Sequence, residues 1–221
     1  MTALLVVGTA AAVGELYLLS RLRQLESENP ARTLWMNRRR ARSNAAKCRQ
    51  LFVPLDKVPS HLQWAVILSE DAGFYDHRGI DLGEMKESLL RNVREGRVVR
   101  GGSTITMQTA RLLFLWPGRG LGRKVLELLI TPQMEAMLTK RRILELYLNY
   151  VEWGDALFGC QAASIEYYSK PCWRLSAAES ALLAACLPNP GKRNPARPSR
   201  LVLWSQQRIL GMLERKGVLG Q

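Results

Sequence analysis

The chain has 221 residues, 47% of them apolar, which suits one catalytic domain of ordinary size with an appendage and leaves no room for a second enzymatic domain. Its 32 Lys and Arg against 19 Asp and Glu give a net charge of +13 and a pI near 10.1. That surplus implies an anionic partner, whether a nucleic acid, a membrane surface or a phosphorylated substrate. In chain order, Thr2 to Ser20 is nearly continuous apolar sequence broken by Glu15 alone, close to the roughly 20 residues that a bilayer helix needs. No basic stretch precedes it and no small-residue cleavage site follows, so residues 1–22 are expected to form a transmembrane signal-anchor helix; a helix buried against the domain is the alternative. Residues 23–50 follow as a basic juxtamembrane linker. Within it, positions 31–50 hold seven Lys or Arg and no acid, beside Trp35 and Met36, a composition that suits anionic headgroups or a solvated linker. Residues 51–221 are left for the folded domain.

That domain opens with Pro59 to Leu68, where Ser60 and Gln63 stand at capping-box spacing and predict a helix from about His61 to Glu70. Glu70 then falls at the helix C-terminal end. The negative end of the helix dipole and partial burial both raise a carboxylate's pKa, which suits a general base, although a solvated helix end fits this stretch equally. A basic amphipathic helix is expected over 81–100, through Leu82, Met85, Leu89 and Leu90. Gly101-Gly102-Ser103-Thr104-Ile105-Thr106-Met107-Gln108 follows, a glycine turn feeding a helix whose first N–H groups face an anion. Arg123, Glu127, Thr131 and Glu135 recur every fourth residue, placing them on one helical face with Pro132 disputing the helix; an intrahelical ion-pair ladder explains that spacing as well as a site does. Between Arg91 and Lys124 stand eight basic residues and one acid, Glu95, the densest local excess in this part of the chain. Downstream, helical periodicity covers Glu135 to Leu148, Cys160 to Ser169, Ala177 to Leu187 and Leu201 to Arg215, and strand signals are nearly absent. Cys48, Cys160, Cys172 and Cys186 lack zinc-site spacing, and Cys160 and Cys186 are expected in the core.

Four ordered segments then resemble one family. Glu70-Asp71-x-x-Phe74-x-x-His77-x-Gly79, Gly101 to Gln108, Arg123-Lys124-x-x-Glu127 with Glu135, and Ile143-Leu144-Glu145-x-Tyr147-Leu148-Asn149 are similar to the signatures of peptidoglycan glycosyltransferases of family 51, in particular the monofunctional transglycosylases. The resemblance runs from about Val53 to about Met212. It implies a mainly α, lysozyme-like fold with a small mobile jaw between the first two signatures, partly dipped into the membrane. It also implies polymerisation of lipid II, with Glu70 as base and Glu127 as second essential glutamate. Asp71, His77, Ser103, Thr104, Gln108, Arg111, Arg119, Arg123 and Lys124 become the expected substrate-binding set. Arg119 enters by its place eight residues after Arg111 and four before Arg123. No motif requires a cofactor, although a divalent cation, Mg²⁺ or Mn²⁺, is compatible with a diphosphate. Lipid II, a lipid-linked glycan and the membrane are the expected partners, with transpeptidases and division or elongation proteins beside them; no nucleic-acid motif is present.

The sequence also departs from the family, which usually carries glutamine at Met107, lysine at Arg111, asparagine at Leu112 and alanine at Thr131. Arg for Lys keeps the charge but replaces a compact ammonium with a planar fork. The arginines after the apolar run would hold that side in the cytoplasm under the positive-inside rule, whereas the resemblance puts the domain on the outer face of the bacterial inner membrane; long domains cross largely regardless of charge, so the expectation follows the resemblance. Two other classes remain open: a lysozyme-type hydrolase using Glu70 and Glu127 as a carboxylate pair, and a basic surface-binding module.

Overall fold

The computed structural model describes residues 2–42, 48–96, 101–118 and 120–219, excluding the side chains of 2–7, 10, 11 and 42. Ten α-helices, two single-turn 3-10 helices and three very short strands form its described elements. The N-terminal helix α1, Thr2–Gln24, exposes Val13, Leu16 and Tyr17 but buries Leu22 at its end. Eight of the nineteen residues in the apolar run predicted to anchor the chain have side chains outside the described set. Among the described residues, no helix is long and apolar enough to cross a membrane.

After α1 the basic segment folds onto the domain, burying Leu25, Thr33 and Met36. Arg142 clasps the connection by donating to the carbonyls of Leu25 and Glu28 and to Asn29 Oδ1, each within 2.7–2.8 Å. Helix α2, Leu34–Arg42, follows, and Arg39 pairs with Glu152 at 2.9 Å. The three-stranded sheet is small: β1 (Arg49–Gln50) runs parallel to β3 (Leu157–Phe158), which is antiparallel to β2 (Glu152–Gly154). It ties the entry of the domain to its middle.

Helix α3 spans Ser60–Glu70, as the apolar spacing predicts, but its start differs from the capping-box expectation. Pro59 is the N-cap and makes no side-chain cap bond, while Gln63 donates to the carbonyls of Leu55 and Val58. Proline's fixed φ sets the entry angle, and the glutamine is used to close the preceding turn. Helix α4, Leu82–Arg94, is capped by Asp81, whose side chain accepts from Glu84 N. The predicted extension through Arg97 and Arg100 lies outside the described residues.

Helix α5, Ile105–Phe114, packs against both α6, Leu121–Met137, and α7, Lys140–Tyr150. Pro132 sits within α6 without ending it. The single helix expected from Glu135 to Leu148 is instead the end of α6 and most of α7. Leu138 turns extended, and Thr139 starts the new helix by accepting from Arg142 N. Helix α8 (Cys160–Tyr168), α9 (Ala177–Cys186) and α10 (Arg200–Arg215) complete the chain, and α3 packs on α9 and α10. All four cysteines are free thiols, with Cys160 and Cys186 buried as expected.

The fourth sequence signature largely builds this frame. Asn149, fully buried on α7, accepts from Val53 N at 2.8 Å and returns a bond to Val53 O at 2.9 Å. Glu145 accepts from Leu55 N at 2.8 Å. The chain leading into α3 is therefore pinned to α7 at two points.

Candidate active site

Glu70 is the last residue of α3 and Asp71 is its C-cap. The two adjacent carboxylates have different surroundings. Asp71 is buried, and both of its oxygens have protein partners: Oδ2 accepts from Ile105 N at 2.8 Å, and Oδ1 lies 2.9 Å from His77 Nε2. Because Gly79 N donates to His77 Nδ1 at 3.0 Å, the imidazole proton belongs on Nε2 and is given to Asp71. The anion at the N-terminus of α5 is thus the protein's own Asp71, which corrects the expectation that its first amides face a ligand. Thr104 is engaged in the same way, donating to Gly79 O and accepting from Met107 N.

Gly79 makes this junction possible. Its φ is +87°, and a Cβ there would stand 2.7 Å from side-chain carbons of both Thr131 and Glu135. Gly79→Ala should cost about 1–2 kcal/mol in backbone strain, with about 1–3 kcal/mol more from the collision. Chemical denaturation tests it: a midpoint like that of the wild type would remove this account of the turn.

Glu70 is half-buried, which leaves it reachable. Gln108 on α5 donates to its Oε2 at 3.0 Å, and Tyr147 on α7 donates to Gln108 Oε1 at 3.2 Å. The amide is therefore oriented by the phenol, with its nitrogen toward the carboxylate. Burial pushes the Glu70 carboxyl above the ordinary range, opposed by the Gln108 bond and the guanidiniums of Arg111 and Arg193, and reinforced by Asp71. The direction agrees with the sequence expectation for Glu70.

A second cluster stands on α6, the helix that packs against α5. Glu127 is 1% exposed and holds Arg123 with one oxygen and Lys124 Nζ, at 3.0 Å, with the other. Lys124 also donates to Ser103 Oγ at 2.9 Å. The intrahelical pair that the spacing allowed is therefore present, but it is buried and extended to the second signature. Glu135, two steps further along the face, binds Thr106 and Lys140 instead.

Arg111 links the two carboxylate clusters. Burial lowers its pKa; Glu127 is the strongest influence raising it, and Tyr147 and Glu70 also act on it. Its Nε and that of Arg123 are buried without a partner. Met107 and Leu112, two of the departures from the family pattern, are buried in the core and present no polar group. Arg119 lies outside the described residues.

The structure thus brings together Glu70, Gln108, Arg111, Ser103, Arg123, Lys124 and Glu127, with Asp71, His77 and Thr104 bracing the turn behind them. Sequence reasoning missed Arg193, because nothing in its proline-rich loop marks it. It quoted Tyr147 without giving it a role, although that residue lies within the fourth signature. Among the described residues no group of three or more His, Cys, Asp or Glu is placed to hold a metal ion. A cleft lined by Asp56, Lys57, Pro59 and Trp173 lies at the other end of α3, roughly 15 Å of helix away from Glu70.

Residues 38–214 match the family described as Transglycosylase. The chain is 42% identical over 194 residues to the biosynthetic peptidoglycan transglycosylase of Azoarcus sp. (strain BH72), covering 86% of this chain and 84% of that protein. It is 47% identical over 166 residues to the protein of that name from Aromatoleum aromaticum, covering 73% and 72%. The one from Yersinia pestis (strain Pestoides F) is 43% identical over 166 residues, covering 75% and 69%.

Proposed function

Because the chain belongs to the transglycosylase family, we propose that its two clusters divide the work of glycan polymerisation, Glu70 acting on the acceptor and the cationic cluster on the leaving diphosphate. The activity is that of a peptidoglycan glycosyltransferase, which lengthens glycan chains in cell wall synthesis. Lipid II supplies the acceptor sugar, and the growing lipid-linked glycan is the donor. Glu70 takes the proton of the acceptor 4-hydroxyl as that oxygen bonds to the donor's anomeric carbon. The bond from that carbon to the diphosphate breaks, the α link becomes a β-1,4 link, and undecaprenyl diphosphate leaves.

A diphosphate leaving group needs no strong acid at neutral pH, but its charge needs cations already in place. Arg111, Arg123 and Lys124 provide them, with Ser103 and Gln108 giving neutral hydrogen bonds; Arg119 belongs to this set by resemblance. Glu127 fixes the directions of Arg123 and Lys124. The observation that carries this reading is the pairing of a half-buried Glu70, held by Gln108, with the buried Arg123–Glu127–Lys124 cluster that Lys124 ties to Ser103 in the second signature. A hydrolase would have no use for such a cationic cluster.

The same reading places the enzyme at the bacterial inner membrane, with α1 as a single-pass anchor and the lysozyme-like domain on the outer side. Leu82, Leu89 and Val93 support it, forming one exposed apolar stripe on α4, the jaw helix, and Leu121, Val125 and Leu129 form another on α6. Transpeptidases and division or elongation proteins would take up the product. Purified protein given labelled lipid-linked disaccharide in detergent is expected to make long β-1,4 glycan. Shortening of added finished glycan, with no polymer, would establish the hydrolase instead.

A further inference from the structure

Helix α2 approaches the cationic cluster through Trp35. The guanidinium carbon of Arg111 lies 5.8 Å from the centroid of the Trp35 ring, within the roughly 6 Å over which an aromatic face attracts a cation. Trp35 precedes residues 38–214, the part matched to the family, yet α2 packs on α5 and brings it to the site. The indole packs against the hydrophobic core, so its face is held rather than mobile. Arg111 needs such a support: its Nε has no hydrogen-bond partner, and none of the ion pairs described for Glu127 includes it.

Arginine at this position departs from the family's usual lysine, and the difference matters to an aromatic neighbour. A guanidinium is a weakly hydrated plane that stacks on a ring, whereas an ammonium is a strongly hydrated point charge. An unsupported arginine also carries about 2 kcal/mol of side-chain entropy, which binding an anion would have to overcome. We infer that Trp35 is a positioning residue for catalysis: its ring holds the Arg111 guanidinium in the orientation that meets the diphosphate, making the segment before the family domain a working part of the site. The inference rests on the reading of Arg111 as a diphosphate ligand.

The test uses the full-length chain and lipid-linked disaccharide, with steady-state kinetics and thermal unfolding for each variant. Trp35→Ala should lower kcat/KM roughly fivefold to thirtyfold, the range of a desolvated cation–aromatic contact. Trp35→Phe keeps a ring face and should stay within about threefold of the wild type. Adding Trp35→Ala to Arg111→Gln should change kcat/KM by less than about twofold relative to Arg111→Gln alone, because no cation is left beside the ring. Equal losses from Trp35→Ala in both backgrounds, or a folded Trp35→Phe as impaired as Trp35→Ala, would overturn the inference. If Trp35→Ala does not fold, Trp35→Leu takes its place, keeping apolar bulk without a ring face: a loss seen with Arg111 but not in the Arg111→Gln background supports the contact, and equal losses in both refute it. A wild type that makes no polymer removes the functional reading and Trp35 with it, whereas an active wild type without coupling removes Trp35 alone.

Discussion

Glu70→Gln is expected to slow polymer formation about 10²- to 10⁴-fold and, at neutral pH, to make the protein more stable to heat. The first effect follows from losing the base, since a glutamine of similar shape cannot take the acceptor proton. The second follows from burial, which holds the carboxyl above its ordinary value of 4.5. A carboxyl whose pKa is higher in the folded state binds its proton more tightly there. The stability tied to that proton is fully present below the unfolded value and is lost as pH rises through the folded one. Glutamine removes this loss, so the variant's thermal midpoint should exceed the wild type's at neutral pH and converge with it in acid. The same shift sets the acid limb of the rate profile, with activity falling as pH drops through the raised value. Arg111 on α5 and Arg193 in the loop before α10 hold that limb down, while Asp71 lifts it. An unchanged midpoint at neutral pH would remove burial as the cause of the shift, and polymer made at the wild-type rate would remove Glu70 as the base.

Much of this site was legible because its parts are short-range. The α3 helix ending on Glu70 follows from apolar spacing, and the Arg123–Glu127 pair follows from a separation of four residues on a helix. The errors arise where a side chain reaches beyond its own element. Gln63 looked like half of a capping box but closes the preceding turn, and Asp71 occupies the helix N-terminus that seemed open to a ligand. Tyr147, Arg193 and Trp35 reach the site only through the packing of α7, the loop before α10 and α2, and no local pattern announces a contact made that way. The division between α6 and α7 was missed for a smaller reason. Thr139 is an ordinary N-cap, but the apolar period continues on both sides of it, so periodicity alone joins two helices into one.

Removing Glu127 should cause the largest loss of stability. Its carboxylate is 2% exposed and faces an Arg123 side chain that is 11% exposed. Breaking a buried pair by deleting one partner typically costs about 3–5 kcal/mol, because the other charge stays out of water without compensation. Lys124, a third exposed, can turn toward solvent and contributes little to that figure. Glu127→Ala is therefore expected to lose about 3 kcal/mol in urea unfolding, a large part of the roughly 5–15 kcal/mol that holds a domain together. A double variant, Arg123→Met with Glu127→Leu, separates structure from chemistry. Apolar residues of similar volume relieve the buried charges, so most of the stability should return. Polymerisation should not return, since the leaving diphosphate then meets a methionine where a guanidinium stood. A double variant that polymerised normally would show that these charges serve only the fold, and the diphosphate would have to be held elsewhere. A Glu127→Ala protein with the wild-type midpoint would show that the pair is not desolvated, and Arg123 would then be free to leave Glu127 whenever substrate arrives.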